Sequence, residues 1–297
     1  CLVLAAEGFR LAPNQSATKL GNILDAVDPD RSRDLCFGTP ETWLIWRLSG
    51  GRTHVTDASN AWVTGLMDLR TGTWGEQICE RLRIPPATLP TVVDSIGPIA
   101  EATVLPGAPV ICGVAGDQQA SLVGQGCVRP GMTKITFGTG GMLDTLLGPE
   151  RPRSEDRADG GTFPLVCWQQ DGTPVYGLEA IMLSAGTNVQ WLRDDLGLIP
   201  TAEASAEIAG ACDTTDGVTY VPAQMGIGTP RWDYGARGVL LGLTRGSTAA
   251  HVVRAVLEGV AQRGADLVEA AETDAGITID ALRIDGGMSA NPVFRQA

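Results

Sequence analysis

Blocks of apolar residues alternate with glycine-rich and polar turns along the chain, a pattern that predicts an α/β protein. At the centre, Val110–Val114 predicts a buried strand that is followed by a turn and a short apolar helix. A β-hairpin is then expected from Lys134–Phe137 and Met142–Leu146, closed by the turn Gly138–Gly141. This order places Asp117 just after the carboxyl end of a strand, where open α/β sheets bind their ligands.

Helical spacing of apolar residues predicts further helices on both sides of this centre. Before it, one helix is expected from a Ser16 cap and another from about Pro40, with Trp43 and Trp46 packed in the core. After it, a long helix capped by Ser247 is expected. That long helix is expected at 249–271, and further helices are predicted at 75–90, 179–196 and 201–212, with strands at 175–178, 217–223, 238–244 and 282–285. Residues 53–70 are predicted to be irregular, with Asp57, Ser59 and Asn60 as turn formers.

Two features of the central stretch suggest chemistry, and each also has a purely structural explanation. Asp117 offers a carboxylate, and the three glycines of the turn 138–141 allow backbone N–H groups to face an anion. A carboxylate and an anion cradle about twenty residues apart suggest phosphoryl transfer. Alternatively, Asp117 caps the following helix and the glycines only close a hairpin. Gly186 lies within a predicted helix, which indicates close approach by a neighbouring element or by a ligand.

Composition narrows the classes of function. The length of 297 residues predicts about two domains, and a net charge of −12 without a basic cluster argues against a nucleic-acid partner. No apolar run is long enough to predict membrane insertion. The seven cysteines are scattered, which indicates reduced, packed thiols, such as Cys112, in a cytoplasmic protein without a zinc site. There are only two histidines, His54 and His251, so a histidine metal centre or triad is unexpected, and His251 is expected to be a surface or helix-capping residue.

Several motifs, in order and with compatible spacing, resemble the FGGY carbohydrate kinases, and the glycerol-kinase branch in particular. The strongest are the Gly-Asp-Gln-Gln-Ala run from Gly116, the Phe-Gly-Thr-Gly turn from Phe137, and the Gln-Trp-Leu-Arg-Asp run from Gln190. Asp285–Gly287 with Asn291 is a further match. The segment 238–258 fits the second family signature, and 16–25 fits the first in part.

The resemblance implies an actin-like ATPase fold of two ribonuclease H-like domains with an active-site cleft between them, and a cytoplasmic ATP-dependent kinase that uses Mg²⁺. Residues 1–122 would be the remainder of the N-terminal, substrate-side domain, and 123–297 a truncated C-terminal, nucleotide-side domain. Asp117 matches the general base and Gln118 a residue that binds the polyol. The positions that match ATP contacts are Thr139, Gly186, Gln190, Gly287 and Asn291. No protein ligand for a metal is implied, and the family commonly forms homo-oligomers.

The chain also departs from the family pattern. An Asp-x-Gly-Thr-Thr phosphate hairpin and an Arg-Glu pair that binds substrate are absent, so the chain is expected to be a fragment whose activity alone is in question. Asn14, Asn22 and Met142 stand where aromatic residues are typical of the family. The leading hypothesis is phosphorylation of glycerol to sn-glycerol 3-phosphate. The alternatives are another polyol or ketopentose (erythritol, xylulose or ribulose) and a non-catalytic relative that binds nucleotide or sugar.

Overall fold

The computed structural model describes Leu11, residues 15–154 and residues 157–297. Contacts divide the chain into two units. The first unit contains the described residues up to Ser121 together with those of 148–156 and 165–177. The second unit contains 122–147, 157–164 and 178–297. The predicted boundary between the two family domains, at residues 122 and 123, stays a prediction. The contact-based units differ from it, because the segments 148–156 and 165–177 belong to the first unit.

Short helices and strands build the first unit. Strand β1 (Val55–Asp57) pairs in parallel with β4 (Thr91–Val93), and β5 (Ile96–Glu101) pairs antiparallel with β6 (Val110–Gly113). The helices are α1 (Ser16–Val27), α2 (Pro40–Leu48), α3 (Ala58–Val63), α4 (Glu76–Arg81) and α5 (Asp117–Gly124), which passes into the second unit, with a 3₁₀ turn at Pro86–Thr88. The strands are β1 (Val55–Asp57), β2 (Met67–Asp68), β3 (Thr73–Trp74), β4 (Thr91–Val93), β5 (Ile96–Glu101) and β6 (Val110–Gly113). Residues 53–70 are therefore regular over much of their length, contrary to the prediction.

A five-stranded sheet and a long helix organise the second unit. The sheet order is β13-β7-β8-β10-β9, with β13 parallel to β7 and β7 antiparallel to β8. The strands are β7 (Thr133–Phe137), β8 (Gly141–Gly148), β9 (Phe163–Gln170), β10 (Thr173–Met182), β11 (Thr219–Val221), β12 (Val239–Leu241) and β13 (Leu282–Asp285). The helices are α6 (Gly186–Asp194), α7 (Ala204–Gly210), α8 (Ala249–Ala275) and α9 (Pro292–Gln296), with a 3₁₀ turn at Gly287–Ala290. Residues 165–177, in the outer part of the β9–β10 hairpin, are the ones grouped with the first unit.

Helix α8 packs against this sheet through its apolar face, as its sequence periodicity predicts. Gly264 allows the close approach, because a Cβ there would lie 3.1 Å from the ring of Phe137. The helix begins in a capping box, in which the Thr248 N–H donates to Nδ1 of His251 over 3.0 Å. The predicted capping role of His251 is confirmed, whereas the cap is Thr248 and not Ser247.

The helix predicted over residues 179–196 is wrong in its first part. Residues Glu179 to Met182 continue strand β10, and helix α6 begins only at Gly186. Apolar runs of this length fit a buried strand as well as a helix, so periodicity alone could not separate them. Strand β9 was missed as well. The predicted Ser16 cap is also wrong, because α1 is capped at Gln15 without a side-chain hydrogen bond.

Burial predictions failed at several apolar positions. Helix α2 buries Thr42 and Ile45, which leaves Trp43 60% and Trp46 38% exposed on its other face. Arg47 covers part of the Trp43 ring, with 5.8 Å between guanidinium and ring centre. Strand β6, predicted to be buried, is largely exposed, and with it Cys112. Among the described residues β6 pairs only with β5.

A buried ion pair, which the sequence analysis did not find, connects the two strands of the central hairpin. Lys134 of β7 lies directly opposite Asp144 of β8. Their Nζ and Oδ2 atoms are 2.7 Å apart, and the two side chains are 0% and 2% exposed. Nζ also donates to Oγ1 of Thr136 over 2.9 Å. The two complementary charges therefore pair inside the sheet, within the hairpin that carries the turn 138–141.

Candidate active site

Asp117 is the first residue of helix α5. The helix starts one residue earlier in hydrogen bonding, since the N–H of Ala120 donates to the carbonyl oxygen of Gly116 over 2.8 Å. Gly116 therefore takes the capping position, and the interpretation of Asp117 as the N-cap is wrong. The Asp117 side chain is exposed, and its Oδ1 accepts the N–H of Gln118 over 2.9 Å. A carboxylate in the first helical turn is held in place and still accessible to a reactant.

Gly116, the residue before Asp117, leaves room for a neighbouring side chain. A Cβ at this position would lie 2.3 Å from Oε1 of Gln119, a side chain that is only 5% exposed. The Gly116 N–H donates to Oγ of Ser59 over 3.0 Å. Ser59 lies in α3, within the run 53–70 that was predicted to be irregular. The signal that was missed is the spacing of Asp57 to Asn60, which is typical of a capped helix start.

In the second unit, the turn 138–141 lies against the start of α6. The N–H of Gly186 donates to the carbonyl oxygen of Gly138 over 2.8 Å, and the N–H of Ala185 donates to that of Thr139 over 2.9 Å. A Cβ on Gly186 would lie 2.5 Å from the same Gly138 oxygen. The glycine is therefore required by a neighbouring element, which accounts for it without a ligand. Gln190 follows one helical turn later and is exposed.

The start of α6 is fixed by a buried amide. Nδ2 of Asn188 donates to the carbonyl oxygens of Ser184 and Ala185, and its Oδ1 accepts the hydroxyl of Tyr220 over 2.8 Å. Burial raises the pKa of Tyr220 to about 12. The phenol is therefore neutral at physiological pH and remains a hydrogen-bond donor. These bonds hold the segment that meets Thr139 and Gly186.

The end of β13 packs against Phe137, the residue just before the turn. Gly286 has a φ of 84°, and a Cβ there would lie 2.4 Å from the carbonyl oxygen of Phe137. No atom lies within 4 Å of a Cβ built on Gly287. Gly186 thus contacts the turn that contains Thr139, Gly286 contacts the residue before that turn, and Gly287 faces open space.

Asn291 uses its side chain within the protein. Its Oδ1 caps α9 by accepting the N–H groups of Val293 and Phe294, and its Nδ2 donates to Oγ of Ser205 over 3.0 Å. The ring of Phe294 packs edge-on against Phe137, with 4.8 Å between ring centres. The predicted nucleotide contact of Asn291 remains a prediction, and in the structure the residue joins the start of α9 to Ser205 of α7.

Gly286 and Gly287 offer a matched pair of substitutions. We expect Gly286→Ala to destabilise the protein by about 1–3 kcal/mol, because the new methyl group meets backbone and the positive φ is strained for alanine. Gly287→Ala should change the stability by less than about 0.5 kcal/mol. Urea unfolding of both variants measures the difference. Equal losses would contradict the close packing of Gly286 against Phe137.

No group of three or more His, Cys, Asp or Glu side chains in the described ranges is placed to hold a metal ion. A cavity of about 560 Å³ in the second unit is lined by residues such as Tyr220, Ile227, Arg231 and Arg263, and no predicted site residue is among its lining.

No helix within the described ranges has the length and apolarity needed to cross a membrane.

Comparison with known proteins identifies the family. Residues 133–297 match the C-terminal domain of the FGGY family of carbohydrate kinases, and residues 3–124 match its N-terminal domain. The chain belongs to the FGGY family of carbohydrate kinases. The predictions of this family and of its α/β actin-like ATPase fold are confirmed.

Individual relatives are glycerol kinases. The glycerol kinase of Alkalilimnicola ehrlichii is 44% identical over 296 residues, which cover 97% of this chain and 59% of the relative. That of Dechloromonas aromatica is 45% identical over 287 residues, covering 95% of this chain and 56% of the relative. This chain therefore spans less than two thirds of the length of these relatives.

Solved structures agree. The structure of Plasmodium falciparum glycerol kinase with ADP superposes with a TM-score of 0.82 at 31% identity, over 93% of this chain and 56% of that one. The ligand-bound xylulose kinase of Lactobacillus acidophilus gives a TM-score of 0.77 at 23% identity, over 96% of this chain and 57% of that one, and shows the fold alone.

Of the predicted departures from the family pattern, Met142 lies in β8 opposite Thr136 and is half-buried, and Asn22 is exposed on α1. Asn14 lies outside the described residues.

Proposed function

We propose that the complete protein is an ATP-dependent kinase that phosphorylates glycerol to sn-glycerol 3-phosphate. The observation that carries this proposal is the identity of 44% to a glycerol kinase over 97% of the chain. The local structure supports it, because Asp117 is exposed at a helix start as a reactive carboxylate must be. A cytoplasmic location and homo-oligomerisation are part of the same proposal.

In the proposed reaction, Asp117 acts as the general base. Its carboxylate accepts the proton of the attacking hydroxyl while the hydroxyl oxygen forms a bond to the γ-phosphorus. The bond between that phosphorus and the oxygen of the β-phosphate breaks, and ADP leaves with the electron pair. Gln118 hydrogen-bonds the polyol and orients it. The exposed first turn of α5 thus supplies both residues from consecutive positions.

The nucleotide is proposed to bind in the second unit, at Thr139, Gly186, Gln190, Gly287 and Asn291. The contacts of Gly138 and Thr139 with the start of α6, and of Phe137 with Gly286, support a rigid backbone cradle for phosphates. Mg²⁺ is proposed to accompany the nucleotide and to neutralise phosphate charge. Among the described residues, no group of three or more His, Cys, Asp or Glu side chains is placed to hold the ion without the nucleotide.

A second candidate substrate is another small polyol or a ketopentose. Met142 and Asn14 favour this candidate, because both stand where the family pattern has an aromatic residue. A changed pocket wall alters selectivity between related substrates by about 1–3 kcal/mol for each methylene-sized difference.

The test uses the product of the complete reading frame. ATP consumption is measured with glycerol, erythritol, xylulose and ribulose, each supplied separately with Mg²⁺. Turnover that depends on glycerol supports the proposed function. Turnover with another of these compounds alone would establish the kinase and replace its substrate. Nucleotide binding without turnover on any of them would contradict the enzyme and indicate a non-catalytic relative.

A further inference from the structure

Behind the junction of β6 and α5 lies a buried carboxylate that the proposed mechanism does not use. Asp57 is 0% exposed and caps helix α3. Its Oδ1 accepts the backbone N–H and the side-chain amide of Asn60, over 3.1 and 2.7 Å. Its Oδ2 accepts the N–H and the hydroxyl of Ser59, over 3.0 and 2.7 Å, and also the hydroxyl of Ser95. Five donors therefore fix this carboxylate in one orientation.

Ser59 connects the carboxylate to the residue before Asp117. The single hydroxyl proton of Ser59 is donated to Asp57, because a carboxylate can only accept. The lone pairs of the same oxygen are then free to accept the N–H of Gly116 over 3.0 Å. The hydrogen-bond directions along Gly116, Ser59 and Asp57 are thus fixed by the chemistry of the groups. Ser59 is itself 0% exposed, so water does not compete for these bonds.

Ser95 is a near-equivalent of Ser59 on the other side of the same carboxylate. Its hydroxyl donates to the same Oδ2 atom and accepts a backbone N–H, that of Gln169, over 3.0 Å. Its exposed fraction is 2%. The two serines therefore make the same kinds of bond, but only the Ser59 side chain contacts the Gly116 peptide. The bond from Val114 to Ser95 goes to a backbone oxygen, which any residue at 95 provides.

We propose that Asp57 and Ser59 are positioning residues for Asp117, acting through the peptide N–H of Gly116. This inference rests on the proposed function, in which Asp117 is the base. Gly116 is the cap of α5, so its orientation determines where the first helical residue and its carboxylate lie. Loss of the Ser59 bond allows the Gly116 peptide to rotate, and the base then departs from the geometry needed for proton transfer.

The test compares Ser59→Ala with Ser95→Ala in the product of the complete reading frame. Both variants should lower the urea midpoint to a similar extent, because each removes one buried hydroxyl with the same bonds. Only Ser59→Ala should lower kcat, by about 10- to 100-fold, as expected when a reacting group is displaced by a fraction of an ångström to 1 Å. The KM for ATP should not change in either variant. Amide hydrogen exchange of peptides that contain Gly116 should become faster in Ser59→Ala alone.

Ser59→Cys provides a second variant if Ser59→Ala does not fold. A thiol is a weaker donor and acceptor than a hydroxyl, so kcat should fall between those of Ser59→Ala and the unsubstituted protein. The inference is overturned if Ser59→Ala keeps its kcat, or if Ser95→Ala loses as much as Ser59→Ala. If the unsubstituted protein is active and Asp117→Asn is not, either of these two results contradicts the positioning role of Ser59 and leaves the proposed function of Asp117 intact. Absence of turnover in the unsubstituted protein defeats the proposed function, and the positioning role with it.

Discussion

Replacing Asp117 with asparagine should reduce kcat by about 10²–10⁴-fold, which is the range that a general base contributes. Asparagine has nearly the same shape and can still accept the N–H of Gln118 that Asp117 accepts over 2.9 Å. The substitution therefore removes basicity and leaves the start of α5 intact. Nucleotide binding should be unchanged, because the proposed ATP contacts lie in the second unit. Steady-state kinetics with glycerol and calorimetric titration with ADP measure the two quantities separately.

Asp30→Asn is the matched control for this experiment. Asp30 is an exposed aspartate of the first unit and lies in a turn after α1. The same loss of one negative charge at this position should leave kcat unchanged. If Asp117→Asn and Asp30→Asn have similar turnover, Asp117 is not the base. If Asp117→Asn loses ADP binding as well as turnover, the substitution has disturbed more than the protonation chemistry.

The local pattern of the sequence predicted those features whose causes are local. The long apolar stripe of α8 and the glycine turn between β7 and β8 are encoded within a few residues, and both are present. The motif around Asp117 also indicated the family. By contrast, the segment from Glu179 to Met182 became a strand because β8 and β9 lie beside β10 in the sheet. Neighbours of that kind are contributed by distant parts of the chain, so a window of sequence does not contain them.

The hydrogen bonds that hold the candidate site in place could not be predicted from the sequence either, because their partners are distant along the chain. Asp57, Ser59 and Asn60 were interpreted as turn formers, since all three residue types favour turns. Their partners Ser95 and Gly116 lie 38 residues from Asp57 and 57 residues from Ser59, respectively. At Gly186, by contrast, the sequence did predict a close approach, but it left open whether a neighbouring element or a ligand makes it. The carbonyl oxygen of Gly138 shows which element is close.

The second large effect is expected at the buried ion pair of the central hairpin. Lys134→Met should destabilise the protein by about 3–5 kcal/mol, because it leaves the Asp144 carboxylate buried without its cation. Asp144→Leu should cost a similar amount by leaving the ammonium group of Lys134 buried. The double variant Lys134→Met/Asp144→Leu should recover most of the lost stability, because two apolar side chains of similar volume leave no charge buried away from water. Urea unfolding of the four proteins gives the coupling energy directly.

Arg193→Met supplies the surface counterpart. Arg193 pairs with Asp194 at 2.6 Å, but the two side chains are 37% and 56% exposed, so solvent screens the pair. Its removal should change the free energy of unfolding very little, because exposed ion pairs contribute little to stability. If Lys134→Met costs no more than Arg193→Met, the hairpin pair does not stabilise the sheet. A double variant as unstable as the single variants would instead show that β7 and β8 need the ionic contact itself to hold their register beneath the turn 138–141.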